Sequence, residues 1–107
     1  MIVKNSSIKK EDLGEGISRK ILARGGDLMM VEVYFEKGGI GAVHNHPHEQ
    51  ISYVNKGSFE FELDGIKEIV LAGDTIYVPS NTLHGVVALE KSVIIDVFSP
   101  QREDFLK

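Results

Sequence analysis

The chain contains no cysteine, so neither a disulfide framework nor a thiolate site is available to it. It also lacks a surplus of positive charge. Twelve Lys and Arg face sixteen Asp and Glu, the net charge is -4, and the acids are scattered, which leaves no nucleic-acid footprint. No apolar stretch approaches membrane-spanning length, and Met1–Ser7 lacks the apolar run of a secretory leader. The expectation is a cytoplasmic protein with neither a nucleic-acid nor a membrane partner. Room for separate binding and catalytic units is missing as well. At 107 residues, with 42% hydrophobic and 26% charged residues, the chain fits one domain over residues 1–107. Its core is expected over about 26–99, with a polar N-terminal arm over 1–16 and a short charged tail over 100–107.

No long helical period is present either. Short runs rich in β-branched and aromatic residues alternate with turn signals instead. Ile17–Arg24 alternates imperfectly and reads as a weak strand, whereas Leu28–Phe35 is a stronger one. Met29 and Met30 in that run are read as packing residues rather than ligands. Gln50–Val54, Phe59–Leu63, Ile66–Leu71, Thr75–Val78, Val86–Leu89 and Lys91–Phe98 follow as strands, and Asp64-Gly65 is a two-residue hairpin signal. Ile8–Leu13 is expected either as one helical turn or as an arm laid over a neighbour. Phe59, Phe61, Tyr34, Tyr53 and Tyr77 are expected to fill the core or line a pocket. Nine or ten short strands with no long helix predict an all-β antiparallel sandwich or small barrel. Lys37–Gly41 is glycine-rich, but it lacks the Lys-Ser/Thr pair and following helix of a phosphate loop, so a tight turn accounts for it.

Histidine is scarce, and three of the four occur in one stretch, His44-Asn45-His46-Pro47-His48-Glu49-Gln50. Strand alternation sends His44 and His46 to the same face. With a nearby oxygen donor and the distant His84, they make a plausible divalent-metal site. Glu49 is a rival oxygen ligand, but its parity places it opposite Gln50. His48 shares the parity of His46, yet Pro47 disturbs the strand and places His48 at the rim.

These residues resemble the cupin family. Its first motif runs Gly, His-x-His, Glu and Gly, and here Gly38, His44, His46, Gln50 and Gly57 occupy those places, with Gln50 in place of Glu. The second motif is met by Gly73, Pro79 and His84, while Asn81 replaces a Gly and Ala88 an Asn. The resemblance implies a double-stranded β-helix, or jelly-roll barrel, and a homodimer. It assigns His44, His46, Gln50 and His84 to one divalent transition metal (nickel, iron, manganese or zinc). Replacing Glu by Gln removes one negative charge beside the ion, which sharpens its Lewis acidity at the cost of affinity.

The segment from Ile95 to Leu106 is similar to the tail of the pectin-degradation cupins, which convert 4,5-unsaturated galacturonate to its linear keto form and share the His-x-His-Pro-His-Glu-Gln stretch. That resemblance implies Asp96 as acid/base, Phe98 as a pocket wall and Arg102 as a clamp for the substrate carboxylate. Parity adds support, because Ile94, Asp96 and Phe98 share one face of the last strand. The alternative for Asp96 is a structural pairing with Arg102 or a turn cap. At the level of function, the expected ligand is a small-molecule substrate. Two rivals to the uronate reading remain open: a metal-dependent iron dioxygenase, and a non-catalytic cupin that binds or senses a small molecule.

Overall fold

A computed structural model describes residues 1–107. Ten strands carry the chain: β1 (Glu11–Gly14), β2 (Ile17–Gly25), β3 (Leu28–Phe35), β4 (Ile40–His44), β5 (Glu49–Lys56), β6 (Ser58–Leu63), β7 (Ile66–Leu71), β8 (Thr75–Val78), β9 (His84–Ala88) and β10 (Ser92–Ser99). They form two sheets, one in the order β1-β2-β3-β10-β5-β8 and the other β4-β9-β6-β7. All pairings are antiparallel, and the chain crosses repeatedly between the sheets. This is the expected all-β cupin barrel.

Alternation decides what each strand turns inward. Gln50, Ser52 and Val54 of β5 are buried while their neighbours are exposed. On β10, the same parity turns Ser92, Ile94, Asp96 and Phe98 inward, as expected for the last three. The interior therefore has two ends. One end is apolar, where Phe35, Val54, Phe59, Phe61, Val78, Ala88 and Ile94 pack together, with the Phe35 and Phe59 rings edge to face at 5.1 Å. Toward the other end, buried polar groups of His46, Gln50, Ser52 and His84 replace the apolar filler.

Turn chemistry places the crossings. Asp64 and Gly65 have φ of 51° and 80°, the left-handed pair that a tight hairpin between β6 and β7 requires. Gly57 carries the chain from β5 in the large sheet to β6 in the small one. Its φ is 76°, and a Cβ there would lie 2.7 Å from the Lys91 carbonyl oxygen and against Ser92. Asn81 stands where the family motif has Gly, and its φ of 63° shows why the replacement works, since Asn tolerates this region better than other side chains.

Three expectations need correction. Ile8–Leu13 forms no helical turn: a 3-10 turn lies earlier, at Asn5–Ser7, and Glu11–Gly14 joins the large sheet as a hairpin with β2. Tyr53 and Tyr77 are exposed on the outer face of β5 and β8, and Tyr34 is half-buried with its hydroxyl on Glu32, so none of the three fills the core. Met29 is packed inside as expected, but Met30 is exposed.

The Gly57 corner yields a test by chemical denaturation. Gly57→Ala should cost at least about 2 kcal/mol, because strain and a backbone collision add. Gly65→Ala, where φ is 80° but no atom stands in the way, should cost about 1 kcal/mol. Equal losses would refute the collision account.

Candidate metal centre

Strand register assembles the site. His44 ends β4 and faces His84, the first residue of β9, directly across the ladder. Their ring centroids lie 4.5 Å apart. His46 lies beyond the end of β4 in the loop to β5, and its ring is 5.5 Å from His44 and 4.9 Å from His84. One nitrogen from each of the three rings falls within 4.8 Å of the others. The small sheet and the crossing loop thus supply imidazoles, and the large sheet supplies Gln50, whose Oε1 is 3.0 Å from His46 Nε2.

The backbone sets the ring tautomers. The Nδ1 of His44 donates to the Ala42 carbonyl at 2.8 Å, that of His84 to the Thr82 carbonyl at 2.8 Å, and that of His46 to the His48 carbonyl at 3.1 Å. A carbonyl only accepts, so each Nδ1 carries the proton and each Nε2 keeps its lone pair. His46 Nε2 and Gln50 Oε1 are then two acceptors facing each other, an arrangement that a cation resolves. Burial drives the His84 pKa down to about 4, with the neighbouring His44, His46 and Arg102 adding to the effect. Burial and the Arg102 charge also lower that of His46. Both rings therefore stay neutral and ligand-competent at ordinary pH. The donor set of three imidazoles and one amide oxygen fits a divalent first-row ion.

The two rival ligands lie elsewhere. Glu49 points to the outer face and accepts from the Tyr77 hydroxyl. The His48 ring stacks edge-on against His46 at 5.3 Å, outside the group of three, and its Nδ1 is buried without a partner.

A carboxylate adjoins this cluster. Asp96 is opposite Ser52 on the β5–β10 ladder, so Ser52 Oγ donates to Asp96 Oδ1 at 2.6 Å. Gln50 Nε2 donates to the same oxygen at 3.3 Å and to Ser52 Oγ at 2.9 Å. Asp96 makes no ion pair with Arg102, which instead binds Asp104 through Nε at 3.0 Å and Nη2 at 2.9 Å. Burial pushes the Asp96 pKa up to about 6, against the hydrogen bonds of Ser52 and Gln50 and the Arg102 charge. Its uncovered surface opens into a cavity of about 200 Å³ that His44, Gln50, His84, Phe98 and Arg102 also line. Phe98 lies 5.7 Å from His46, ring to ring, and forms a wall.

The sites expected from sequence are thus brought together: His44, His46, Gln50 and His84 in one cluster, with Asp96, Phe98 and Arg102 beside it. Sequence reasoning missed Ser52, Asp104 and Phe105. Ser52 had a signal, as the second consecutive polar residue on the inward parity of β5.

Comparisons with known proteins identify the family and the fold. The cupin domain family model matches residues 31–98. The pectin degradation protein KdgF of Dickeya dadantii (strain 3937) is 54% identical over 98 residues, which cover 90% of this chain and 89% of that protein. The structure of KdgF from Halomonas sp. superposes with a TM-score of 0.94 at 45% identity, covering 98% of this chain and 97% of that one. An RmlC-like cupin from Shewanella frigidimarina NCIMB 400 gives a TM-score of 0.94 at 40% identity over 97% of this chain and 94% of its own. Oxalate decarboxylase of Bacillus subtilis, at 21% identity and a TM-score of 0.83 over 92% of this chain and 29% of its own, shares the fold alone.

The raised Asp96 pKa has a stability consequence in the metal-free protein. Its folded value of about 6 exceeds the ordinary 3.8, so the neutral acid stabilises the fold fully below about pH 4, and that contribution is lost as pH rises through 6. Asp96→Asn escapes the loss. Thermal melts of chelator-treated protein should show the variant more stable above pH 7, by up to about 3 kcal/mol, with the gap closing below pH 4. A gap independent of pH would contradict the assignment.

Proposed function

The chain belongs to the cupin family, and on that premise we propose that it is a metal-dependent enzyme of pectin breakdown that opens 4,5-unsaturated galacturonate to its linear keto form. One observation carries this reading: a half-buried carboxylate, Asp96, shares a small cavity with two candidate ligand imidazoles and the Arg102 guanidinium. The 54% identity to a pectin degradation protein supports the choice of substrate. The cavity, at about 200 Å³, is smaller than the roughly 300–1,000 Å³ of drug-sized sites, which suits one sugar unit rather than a polymer.

In the substrate, one ring oxygen joins a hemiacetal carbon to an enol-ether carbon. Ring opening removes the proton of the C1 hydroxyl and breaks the bond from C1 to the ring oxygen, which leaves an aldehyde and an enolate. A proton delivered to C4 then turns C5 into the ketone, so one proton is moved and none is consumed. Asp96 performs both transfers in this proposal. With a pKa of about 6, it accepts a proton readily near neutrality and returns it without a large penalty. Arg102 binds the substrate carboxylate in the manner of a guanidinium fork, and Phe98 excludes water from one side. A divalent ion held by His44, His46, Gln50 and His84 would supply Lewis-acid stabilisation to the oxygen on which negative charge develops.

The cytoplasmic location and homodimer expected from the sequence are part of the same proposal. Exposed Ile51, Tyr53 and Tyr77 on the outer face of β5 and β8 support an association surface there.

The decisive assay follows loss of the double-bond absorbance of 4,5-unsaturated galacturonate beyond its spontaneous rate. Metal-loaded wild type should accelerate it. Asp96→Ala should lose about 10²–10⁴-fold, the usual contribution of one acid/base group, and His46→Ala should lose activity together with bound metal. Acceleration that survives Asp96→Ala would remove Asp96 as the proton carrier. No acceleration by folded, metal-loaded protein would refute the uronate reading.

A further inference from the structure

We propose that Phe105 is the positioning residue for Arg102, and that Arg19 holds Phe105 in place. The proposal deepens the uronate reading and rests on it for the identity of the carboxylated substrate. After β10 the chain forms a 3-10 turn at Glu103–Leu106 that brings Phe105 back over the cavity, where its ring meets Phe98 edge to face at 5.8 Å. The Arg102 guanidinium carbon lies 4.2 Å from the centre of the Phe105 ring, closer than its 5.1 Å to Phe98. Arg19 approaches the same ring from β2, with its guanidinium carbon at 4.0 Å.

The other restraints on Arg102 are local to the turn. Asp104 takes its guanidinium with two bonds but lies only two residues away and is itself exposed, so the pair fixes Arg102 to the turn and not to the barrel. The backbone bonds of the turn are local, Glu103 to Gln101 and Phe105 to Arg102. Gln101 is tied down by Arg24 and by the Gly26 carbonyl, which anchors the turn at its start only. Beyond that point, the Phe105 ring links the turn to the barrel through Phe98 and Arg19.

Arg19 stands where the pattern of its strand calls for an apolar residue. It occupies the inward parity of β2 between Ile17 and Ile21, both of which pack against the core, and its side chain is only 14% exposed. An apolar residue would complete that stripe. A guanidinium set there needs compensation for lost hydration, and it finds two partners: Glu11 Oε1, 3.3 Å from its Nε, and the electron-rich face of Phe105. The ring thus carries two guanidiniums, each charge-balanced by its own carboxylate, Glu11 for Arg19 and Asp104 for Arg102. Asp104 takes the Nε/Nη2 edge of Arg102, and Nη1 has no protein partner. The edge formed by Nη1 and the second N–H of Nη2 is therefore the one left for a substrate carboxylate.

The test compares Phe105→Leu, which keeps apolar volume without the ring, with Phe105→Tyr, which keeps the ring, and with Arg19→Met. In turnover of 4,5-unsaturated galacturonate, Phe105→Leu and Arg19→Met should raise KM about tenfold while kcat falls less than threefold, because the clamp binds ground and transition states alike. Phe105→Tyr should stay within twofold of wild type on both. In zinc-loaded protein, the Arg102 Nε–H resonance, identified by its loss in Arg102→Lys, should exchange with water at least tenfold faster in Phe105→Leu than in wild type or Phe105→Tyr. Unchanged KM and exchange in Phe105→Leu would overturn the proposal, as would equal damage from Tyr and Leu. If wild type opens no substrate ring, the uronate reading falls, and the exchange rates alone still decide the role of Phe105. Should Phe105→Leu fail to fold, Arg19→Met carries both readouts.

Discussion

The carboxamide of Gln50 joins the two halves of the site. Its carbonyl oxygen faces His46 at 3.0 Å and its amide nitrogen faces Asp96 at 3.3 Å. Only a group with an acceptor at one end and donors at the other fits between a cluster of imidazoles that could hold a metal and a carboxylate. A Glu in this position would set two carboxylates against each other, and like charges that close force one of them to remain protonated. The amide thus explains why the chain departs from the usual family motif at this point. With Gln50 in place, Asp96 has a hydrogen-bonded neighbour rather than a rival for its proton.

That arrangement depends on the two-ended interior of the barrel. The apolar end, centred on Phe35, Val54 and Phe59, supplies the burial that stabilises the fold. The polar end replaces filler with His46, Gln50, Ser52 and His84, so each buried polar group must find a partner in its neighbours. Backbone carbonyls of Ala42, Thr82 and His48 meet that need on the outer side of the three rings and turn the unprotonated nitrogens toward one another.

Much of this was legible in the sequence wherever strands run without interruption. Parity set Glu49 on the face opposite Gln50, which the family motif marks as a site residue, and put Asp96 on one face with Ile94 and Phe98. The motif glycines and His84 were legible because turns and ligands demand particular residue types. Phe59 and Phe61 were legible as core, but the tyrosines were not, since a tyrosine suits either face of a sheet, and Tyr53 and Tyr77 occupy the outer one. The Arg19–Phe105–Arg102 group was also hidden. It joins β2 to a turn more than eighty residues later, and no local pattern encodes a contact between them. The imperfect alternation of Ile17–Arg24 did not single out Arg19.

The partners in the site are far apart along the chain: Ser52 and Asp96 are separated by 44 residues, and Gln50 and Asp96 by 46. Such distant pairings make a fold slow to form, because loop closure is unfavourable until both strands are docked. A cation held by His44, His46, Gln50 and His84 would complete its donor set only once β9 has docked on β4, and it would then stabilise the finished barrel by mass action rather than build it.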